Sequence, residues 1–266
     1  MYRQLLKGIL VCGVTLISNS CFGQMLYSYT LKSWNIKGGV DSIVQNEIHI
    51  KNDDSTNTTI DTRAVSLYDK IGHLIENRSY DYETRKRFIV KGNLPVRTAY
   101  SYNDKGNLLE KINYDSGGSP GYKYVHALNP LASFIEVKTY YEPNKALVTV
   151  AKLSLDKEGN VIETKSYDTR GKLEYHHKYQ YDKDNNCTED VEVSQVTLKE
   201  DKSVFTYDKG NLIKQVVYLD FGETKTMVTY TYIYPKFDNK HNWLIRKMYY
   251  NGRLSQIYDR TIIYRK

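Results

Sequence analysis

Histidines and acidic residues are the side chains of this chain whose types could support catalysis or bind a metal. None of the six histidines has the spacing of a metalloprotease or zinc motif. His176 and His177 are adjacent, and neighbouring residues of a strand point to opposite faces, so they cannot hold one ion together. The sequence therefore predicts no metal site. The histidines are His49, His73, His126, His176, His177 and His241.

One acidic loop, Asp182 to Asn186, has oxygen-bearing residues at alternate positions, like the start of a calcium loop. The likeness ends at Cys187 and Val193, where a calcium loop needs Gly and a bidentate Glu. Asp and Asn are also ordinary turn residues, so the loop needs no ion. Carboxylate pairs such as Glu189 and Asp190 do not stand out among the 31 acidic residues. We predict a protein that is not an enzyme and uses no cofactor.

Tyrosine is the residue type that stands out, with 26 Tyr against 6 Phe. A buried phenol needs a hydrogen-bond partner, so this imbalance predicts that many rings are partly wet and available for binding. We predict a tyrosine ladder that binds a glycan or a protein, and an aromatic residue in the last unit. These residues are Tyr167, Tyr179, Tyr218, Tyr230 and Trp243. The alternative is that the ladder only replaces a missing apolar core.

A turn signature such as Tyr102 to Leu108 recurs along the chain and must position these tyrosines. An Asp or Asn begins the turn, and a Gly supplies a positive φ angle. Asn185 and His241 replace the Gly in two turns, and both residue types are enriched in the left-handed region. A tyrosine usually follows eight residues after the turn position. The predicted turn glycines are Gly72, Gly92, Gly106, Gly159, Gly171, Gly210 and Gly252.

This rhythm predicts an all-β fold, an extended antiparallel meander of β-hairpin repeats that is gently twisted or coiled. We predict three regions. Residues 1–23 are a signal peptide, residues 24–60 are a β segment that caps the array, and residues 61–266 are the array, with an irregular insert at 116–152. No segment of ten or more residues shows helical periodicity.

The turn core Tyr-Asp-x-x-Gly-Asn-Leu resembles the YD repeat of the RHS family. The resemblance covers roughly residues 65 to 264 and is clearest at Tyr102 to Leu108, Tyr167 to Leu173 and Tyr207 to Leu212, the last of which is one residue short. It implies a β-hairpin array of the kind found in short exported Bacteroidetes members. The large members enclose a toxin and carry a self-cleaving aspartate site before it. This sequence has no Asp-Pro pair and no distinct C-terminal effector. The resemblance therefore implies a binding or scaffold role and no toxin delivery.

The first residues predict export, since Arg3 and Lys7 precede an apolar run too short to span a membrane. Cleavage after Gly23 fits the small-residue rule, whereas Cys21 offers an alternative lipid anchor. A formal charge of +7 with interspersed signs predicts no nucleic-acid partner. We predict a protein of the periplasm, the outer-membrane surface or the extracellular space. Its predicted role is a non-catalytic cell-envelope binding or scaffold protein. The alternative is a divergent hydrolase acting on polysaccharide or peptidoglycan.

Overall fold

The computed structural model describes residues 35–50, 58–81, 95–129, 134–220 and 224–266. The predicted signal peptide, Cys21 and Gly92 lie outside these residues. The described strands are β1 (Val40–Ile50), β2 (Thr58–Tyr68), β3 (Leu74–Asp81), β4 (Val96–Tyr102), β5 (Leu108–Tyr114), β6 (Pro120–Asn129), β7 (Phe134–Tyr141), β8 (Ala146–Leu155), β9 (Val161–Tyr167), β10 (Leu173–Tyr181), β11 (Cys187–Ser194), β12 (Lys199–Asp208), β13 (Asn211–Asp220), β14 (Lys225–Phe237), β15 (Trp243–Tyr250) and β16 (Arg253–Tyr264).

Every strand pairs antiparallel with its sequence neighbours, and β1 also pairs with β16, from Val40 opposite Tyr264 to His49 opposite Gln256. The sheet is therefore a closed barrel of sixteen strands, and the predicted extended meander is wrong. The hairpins are antiparallel as predicted, but the two ends of the sheet meet. Closure pairs the backbone groups that an open sheet would leave exposed at its edges.

The regions predicted to be irregular or terminal are parts of the wall. The described residues between 116 and 152 include β6, β7 and most of β8. The segment 24–60 supplies β1 and the start of β2, and β1 is the strand that closes the barrel. No helix within the described ranges is long and apolar enough to cross a bilayer.

The hairpin turns lie in two rings, one at each end of the barrel. We call the end at which β2 leads into β3 the lower rim and the opposite end the upper rim. The lower rim carries the turns 69–73, 103–107, 156–160, 182–186, 209–210 and 238–242, and the upper rim carries 115–119, 142–145, 168–172, 195–198 and 251–252. In the turn 168–172, Asp168 Oδ1 accepts hydrogen bonds from the amides of Arg170 at 2.9 Å and Lys172 at 2.8 Å. The aspartate side chain therefore stabilises the reversal of the chain at this turn.

The predicted turn glycines that the structure describes all have positive φ angles. These are Gly72 (93°), Gly106 (80°), Gly159 (85°), Gly171 (80°), Gly210 (76°) and Gly252 (84°). Asn185 and His241 both have a φ angle of 62°. The backbone conformation is thus the same where the glycine is replaced.

Apolar side chains pack along the inner wall in three groups, mostly near the lower rim. One group spans β7 to β12 and contains Ile135, Leu153 and Phe205. A second joins Ile36 to strands β1 to β3, and a third surrounds Trp243. Cys187 lies in the first group and is 1% exposed. Within the described residues, the interior has no single continuous apolar core.

Candidate functional site

The two faces of the barrel wall are told apart by strand pairing and burial. Directly opposite residues of antiparallel strands point to the same face. Thr164 is opposite His177, and Tyr179 is opposite Asp190. Thr164 and Tyr179 are buried. This face therefore lines the interior, and the residues that alternate with these form the outer wall.

The four tyrosines of the predicted ladder are divided between the two faces. Tyr167 pairs with Val150 in the outer row, and Tyr218 is opposite Lys202 and 45% exposed. Tyr179 and Tyr230 face the interior, and burial raises the pKa of Tyr230 to about 12. Tyr167 and Tyr218 follow lower-rim turns, whereas Tyr179 and Tyr230 follow upper-rim turns. The four rings therefore do not form one continuous surface.

β-bulges explain this division. A bulge beside most turns places two residues of one strand opposite one residue of its partner, as between Ser101 and Tyr102 or between Leu173 and Tyr175. The bulge changes the alternation by one residue. The residue that closes the turn therefore faces one side, and the tyrosine six positions later, which is eight after the turn glycine, faces the other, as Val161 and Tyr167 do. Trp243 closes a lower-rim turn, faces inward and is 7% exposed.

Inward-facing tyrosines form hydrogen bonds between neighbouring hairpins at the lower rim. The hydroxyl of Tyr102 donates to the carbonyl of Leu74 at 2.9 Å, and that of Tyr181 donates to Val161 at 2.8 Å. Residues 35–39 lie over the same rim. The amide of Lys37 donates to Asn242 Oδ1 at 2.7 Å, and the Asn242 side chain donates to the carbonyl of Lys37 at 2.9 Å. Hydrogen bonds thus connect neighbouring hairpins, and residues 35–39, at the lower rim.

The outer wall carries ion pairs on the middle of many strands. The histidine His176 also points outward, and its Nε2 lies 2.8 Å from Glu163 Oε1. Burial raises the pKa of Glu163, but its hydrogen bonds with Lys165 and His176 and their charges outweigh burial and hold that pKa below its usual value. The other pairs are Arg78 and Arg97 with Glu76, Lys123 with Glu110, Lys138 with Glu136, Lys165 with Glu163, and Lys202 with Glu189.

The inner wall carries a second set of polar groups around His177. Its Nδ1 lies 3.2 Å from Asp190 Oδ1, and its Nε2 lies 3.7 Å from Glu192 Oε2. Burial would lower the pKa of His177, but the hydrogen bond and charge of Asp190 and the charge of Glu192 raise it. Burial raises the pKa of Glu192. Further along the wall, burial and the charge of Lys111 lower the pKa of His126 to about 4.

Two arginines lie on the inner wall beside Trp243. The guanidinium carbon of Arg260 is 3.2 Å from the centroid of the Trp243 ring, and that of Arg246 is 5.0 Å from it. Arg246 also stacks on Tyr258 at 4.1 Å. Burial, followed by the charge of Arg246, holds the pKa of Arg260 well below its usual value.

Sequence reasoning placed Trp243 among candidate binding residues but missed both arginines. Strand alternation could have found Arg260, because Gln256, Tyr258 and Arg260 occupy every second position of β16 and face inward together. Local sequence does not show that β15 and β16 bring the two arginines to one tryptophan. That neighbourhood depends on the register of the two strands.

The inner wall can hold a polar ligand by hydrogen bonds, ring stacking and charge. Among the described residues, no group of three or more His, Cys, Asp or Glu side chains could hold a metal ion. In the loop predicted to resemble a calcium site, the carboxylate of Asp182 accepts bonds from the amides of Asp184 and Asn186, both at 2.9 Å. Turn formation thus uses these acidic oxygens.

No family model matches this sequence, and the search of characterised proteins found no match. Solved structures do match. A porin-like protein from Bacteroides uniformis is 14% identical over 84% of this chain and 97% of its own, with a TM-score of 0.50. A porin-like protein from Bacteroides vulgatus is 10% identical over 86% of this chain and 99% of its own, with a TM-score of 0.33. A Tc holotoxin pore from Photorhabdus luminescens is 15% identical over 79% of this chain and 12% of its own, with a TM-score of 0.30.

TM-scores of 0.33 and 0.30 are too low to show a shared fold. The Bacteroides uniformis structure shows a shared fold and nothing more, since the identity is 14%. Together with the closed sixteen-strand topology, it corrects the predicted family. The recurring turns are the hairpins of a barrel that resembles a porin-like fold, and the predicted membership of the YD-repeat family is wrong.

Proposed function

We propose that this chain is an exported, non-catalytic binding protein of the cell envelope that holds a saccharide inside its barrel. The supporting observation is the contrast between the two faces of the wall. The outer face carries ion pairs at mid-strand, whereas the inner face carries buried tyrosines, Trp243 and hydrogen-bonding groups. Aromatic rings with polar tips suit the faces and hydroxyls of a sugar. A sixteen-strand barrel is also wide enough for its side chains not to fill it.

The second candidate is a pore in the outer membrane, which the porin-like fold of the Bacteroides uniformis protein favours. A membrane barrel presents an apolar band to lipid, and an outward Lys or Arg at the bilayer midplane costs about 2–4 kcal/mol. The rows that contain Glu110, Lys123, Glu136 and Lys138 would lie in that band. On a surface that faces water, by contrast, ion pairs of this kind carry no such cost and contribute about 0–1 kcal/mol each. The outer wall therefore favours an aqueous barrel over a pore.

One experiment separates these two candidates. The mature chain, expressed without residues 1–23, is incubated with phospholipid vesicles that are then floated through a density gradient. We expect the protein to stay in the aqueous fraction and to leave vesicle conductance unchanged. A pore would float with the vesicles and conduct ions.

Saccharide binding is measured through Trp243, one of two tryptophans in the sequence. The variant Trp34→Phe leaves Trp243 as the single tryptophan. Its fluorescence is excited at a wavelength that tyrosine does not absorb, while soluble cell-envelope saccharides are titrated. We expect a saturable change without release of new reducing ends. Steady release of reducing ends would favour the hydrolase, and an unchanged spectrum across the panel would contradict saccharide binding in this interior.

A further inference from the structure

Two positive charges on the inner wall share one tryptophan ring and have neutral partners only. The Nε of Arg260 donates to Gln45 Oε1 at 3.0 Å, whereas its Nη1 is buried and has no hydrogen-bond partner. Arg246 interacts with the hydroxyls of Tyr234 and Tyr258, and its buried Nε has no partner either. Within the described part of the chain, neither guanidinium forms an ion pair with a carboxylate. Both arginines thus retain unused donors.

Glu47 is a carboxylate on the same wall, and it contacts other side chains. Glu47 is opposite Tyr258 in the register of β1 and β16. Its Oε1 accepts a hydrogen bond from Gln256 Nε2 at 2.7 Å and lies 3.3 Å from His49 Nε2. The Arg246–Arg260 pair is therefore not neutralised by Glu47 through a direct contact.

Such an arrangement is costly for the folded chain alone. An arginine keeps its charge in proteins, and a buried charge without a counter-charge destabilises the fold. Cation–π contacts with Trp243 and Tyr258 offset only part of this cost. Arg260 is 8% exposed, whereas Arg246 is only partly buried, so one member of the pair is open to solvent. An anionic group between them would supply the counter-charge and use the free donors.

We propose that Arg246 and Arg260 form a binding site for an oxyanion group, a carboxylate or a sulfate, carried by the ligand inside the barrel. This inference deepens the proposed function and rests on it for the saccharide. Planar guanidinium groups match the paired oxygens of such anions. The ring of Trp243 beside the anion would contact the sugar that carries it. The ligand class is then an acidic saccharide, and a neutral sugar would lack the group that the arginines recognise.

The test compares sodium sulfate, sodium glucuronate and glucose as probes, with sodium chloride holding the ionic strength constant. The thermal midpoint is measured for the wild-type mature chain, Arg260→Gln and Arg246→Gln. Arg97→Gln is the matched control, since Arg97 also stacks on a tyrosine, Tyr114, at 4.0 Å, but pairs with Glu76 on the outer wall. Sulfate stabilises proteins generally, so the measured quantity is the difference between variants.

At saturating sulfate we expect the wild-type and Arg97→Gln midpoints to rise by at least about 4 °C above their values in chloride. The rise should be at least halved in Arg260→Gln and in Arg246→Gln. In chloride alone, Arg260→Gln should melt at or above the wild-type temperature, because the amide removes an uncompensated charge. An arginine needed only for packing would instead lower that midpoint. If Arg260→Gln does not fold, Arg246→Gln decides the comparison.

An equal sulfate shift in the wild type and both variants would overturn the site, as would no wild-type shift beyond that in chloride. A shift with glucuronate but not glucose supports an acidic sugar as the carrier. A shift with sulfate alone supports the anion site with a free inorganic anion as its occupant. The chain could also insert into vesicles and still show a sulfate shift that depends on the two arginines. That result would reject the proposed saccharide-binding function but support the anion site.

Discussion

His126 is the inner-wall residue whose protonation the fold resists most clearly. Its ring is buried, its Nδ1 has no hydrogen-bond partner, and burial with the charge of Lys111 lowers its pKa to about 4. The unfolded value is about 6.5, so the folded chain prefers the neutral ring. The contribution of His126 to stability is therefore complete above pH 6.5 and decreases as the pH falls toward 4.

Because of His126, we expect the unfolding free energy of the wild-type chain to be about 2 kcal/mol lower at pH 5 than at pH 7. His126→Leu should lose less stability than the wild type over that interval, by about that amount. Urea unfolding at the two pH values measures the difference. The pKa of His177 is raised, so its protonation stabilises the folded chain as the pH falls. Both proteins contain His177, so its effect drops out of the difference between them. Identical pH dependence in the two chains would contradict the assignment.

The hairpin turn is the element at which sequence reasoning and structure agree most closely. Gly171 has a φ angle of 80°, and an added Cβ would meet no atom within 4 Å. Gly171→Val should therefore cost roughly 1–2 kcal/mol from backbone strain alone. Gly106→Val should cost more, since its Cβ would lie 2.9 Å from the ring of His73.

Urea unfolding of the two valine variants measures this order, with Gly171→Asn as the control. Asparagine tolerates the left-handed region, as Asn185 does at 62° in another turn, so this variant should lose the least. Equal stability of Gly171→Val and the wild type would show that this φ angle is not required.

Local sequence predicted these turns because an Asp, a positive φ angle and flanking strand residues act within a few positions. It could not predict which face each tyrosine occupies, because bulges such as that between Leu173 and Tyr175 change the alternation without a clear residue signature. It also could not predict the contacts of Arg246 and Arg260 with Trp243. These contacts depend on the pairing of β14, β15 and β16.

Closure of the whole molecule was not predictable from a repeat either. Each hairpin is local, whereas the pairing of Val44 with Thr261 depends on how twist accumulates over sixteen strands. An open meander and a closed barrel can therefore share the same turns. The seam between β1 and β16 is the feature that distinguishes them.

We predict that Val44→Cys combined with Thr261→Cys forms an intramolecular disulfide in the mature chain under mild oxidation. The two residues are opposite each other on the outer wall. The bond would close a loop that contains most of the chain and should stabilise it by up to about 5 kcal/mol in the entropic model. Gel mobility and urea unfolding, each with and without reductant, measure both effects. Val44→Cys with Val204→Cys on β12 is the control and should stay reduced; failure of the seam pair to oxidise would contradict closure.

The seam also has a consequence for how the chain reaches its native state. Its partners, such as Val40 and Tyr264, are farther apart in sequence than those of any other described strand pair, so the chain entropy lost on joining them is greatest. The hairpins should assemble first and the seam last. Until then β1 and β16 are unprotected sheet edges, able to pair with the same strands of another molecule. Refolding yield should therefore fall as protein concentration rises, although the finished barrel presents no edge to its neighbours.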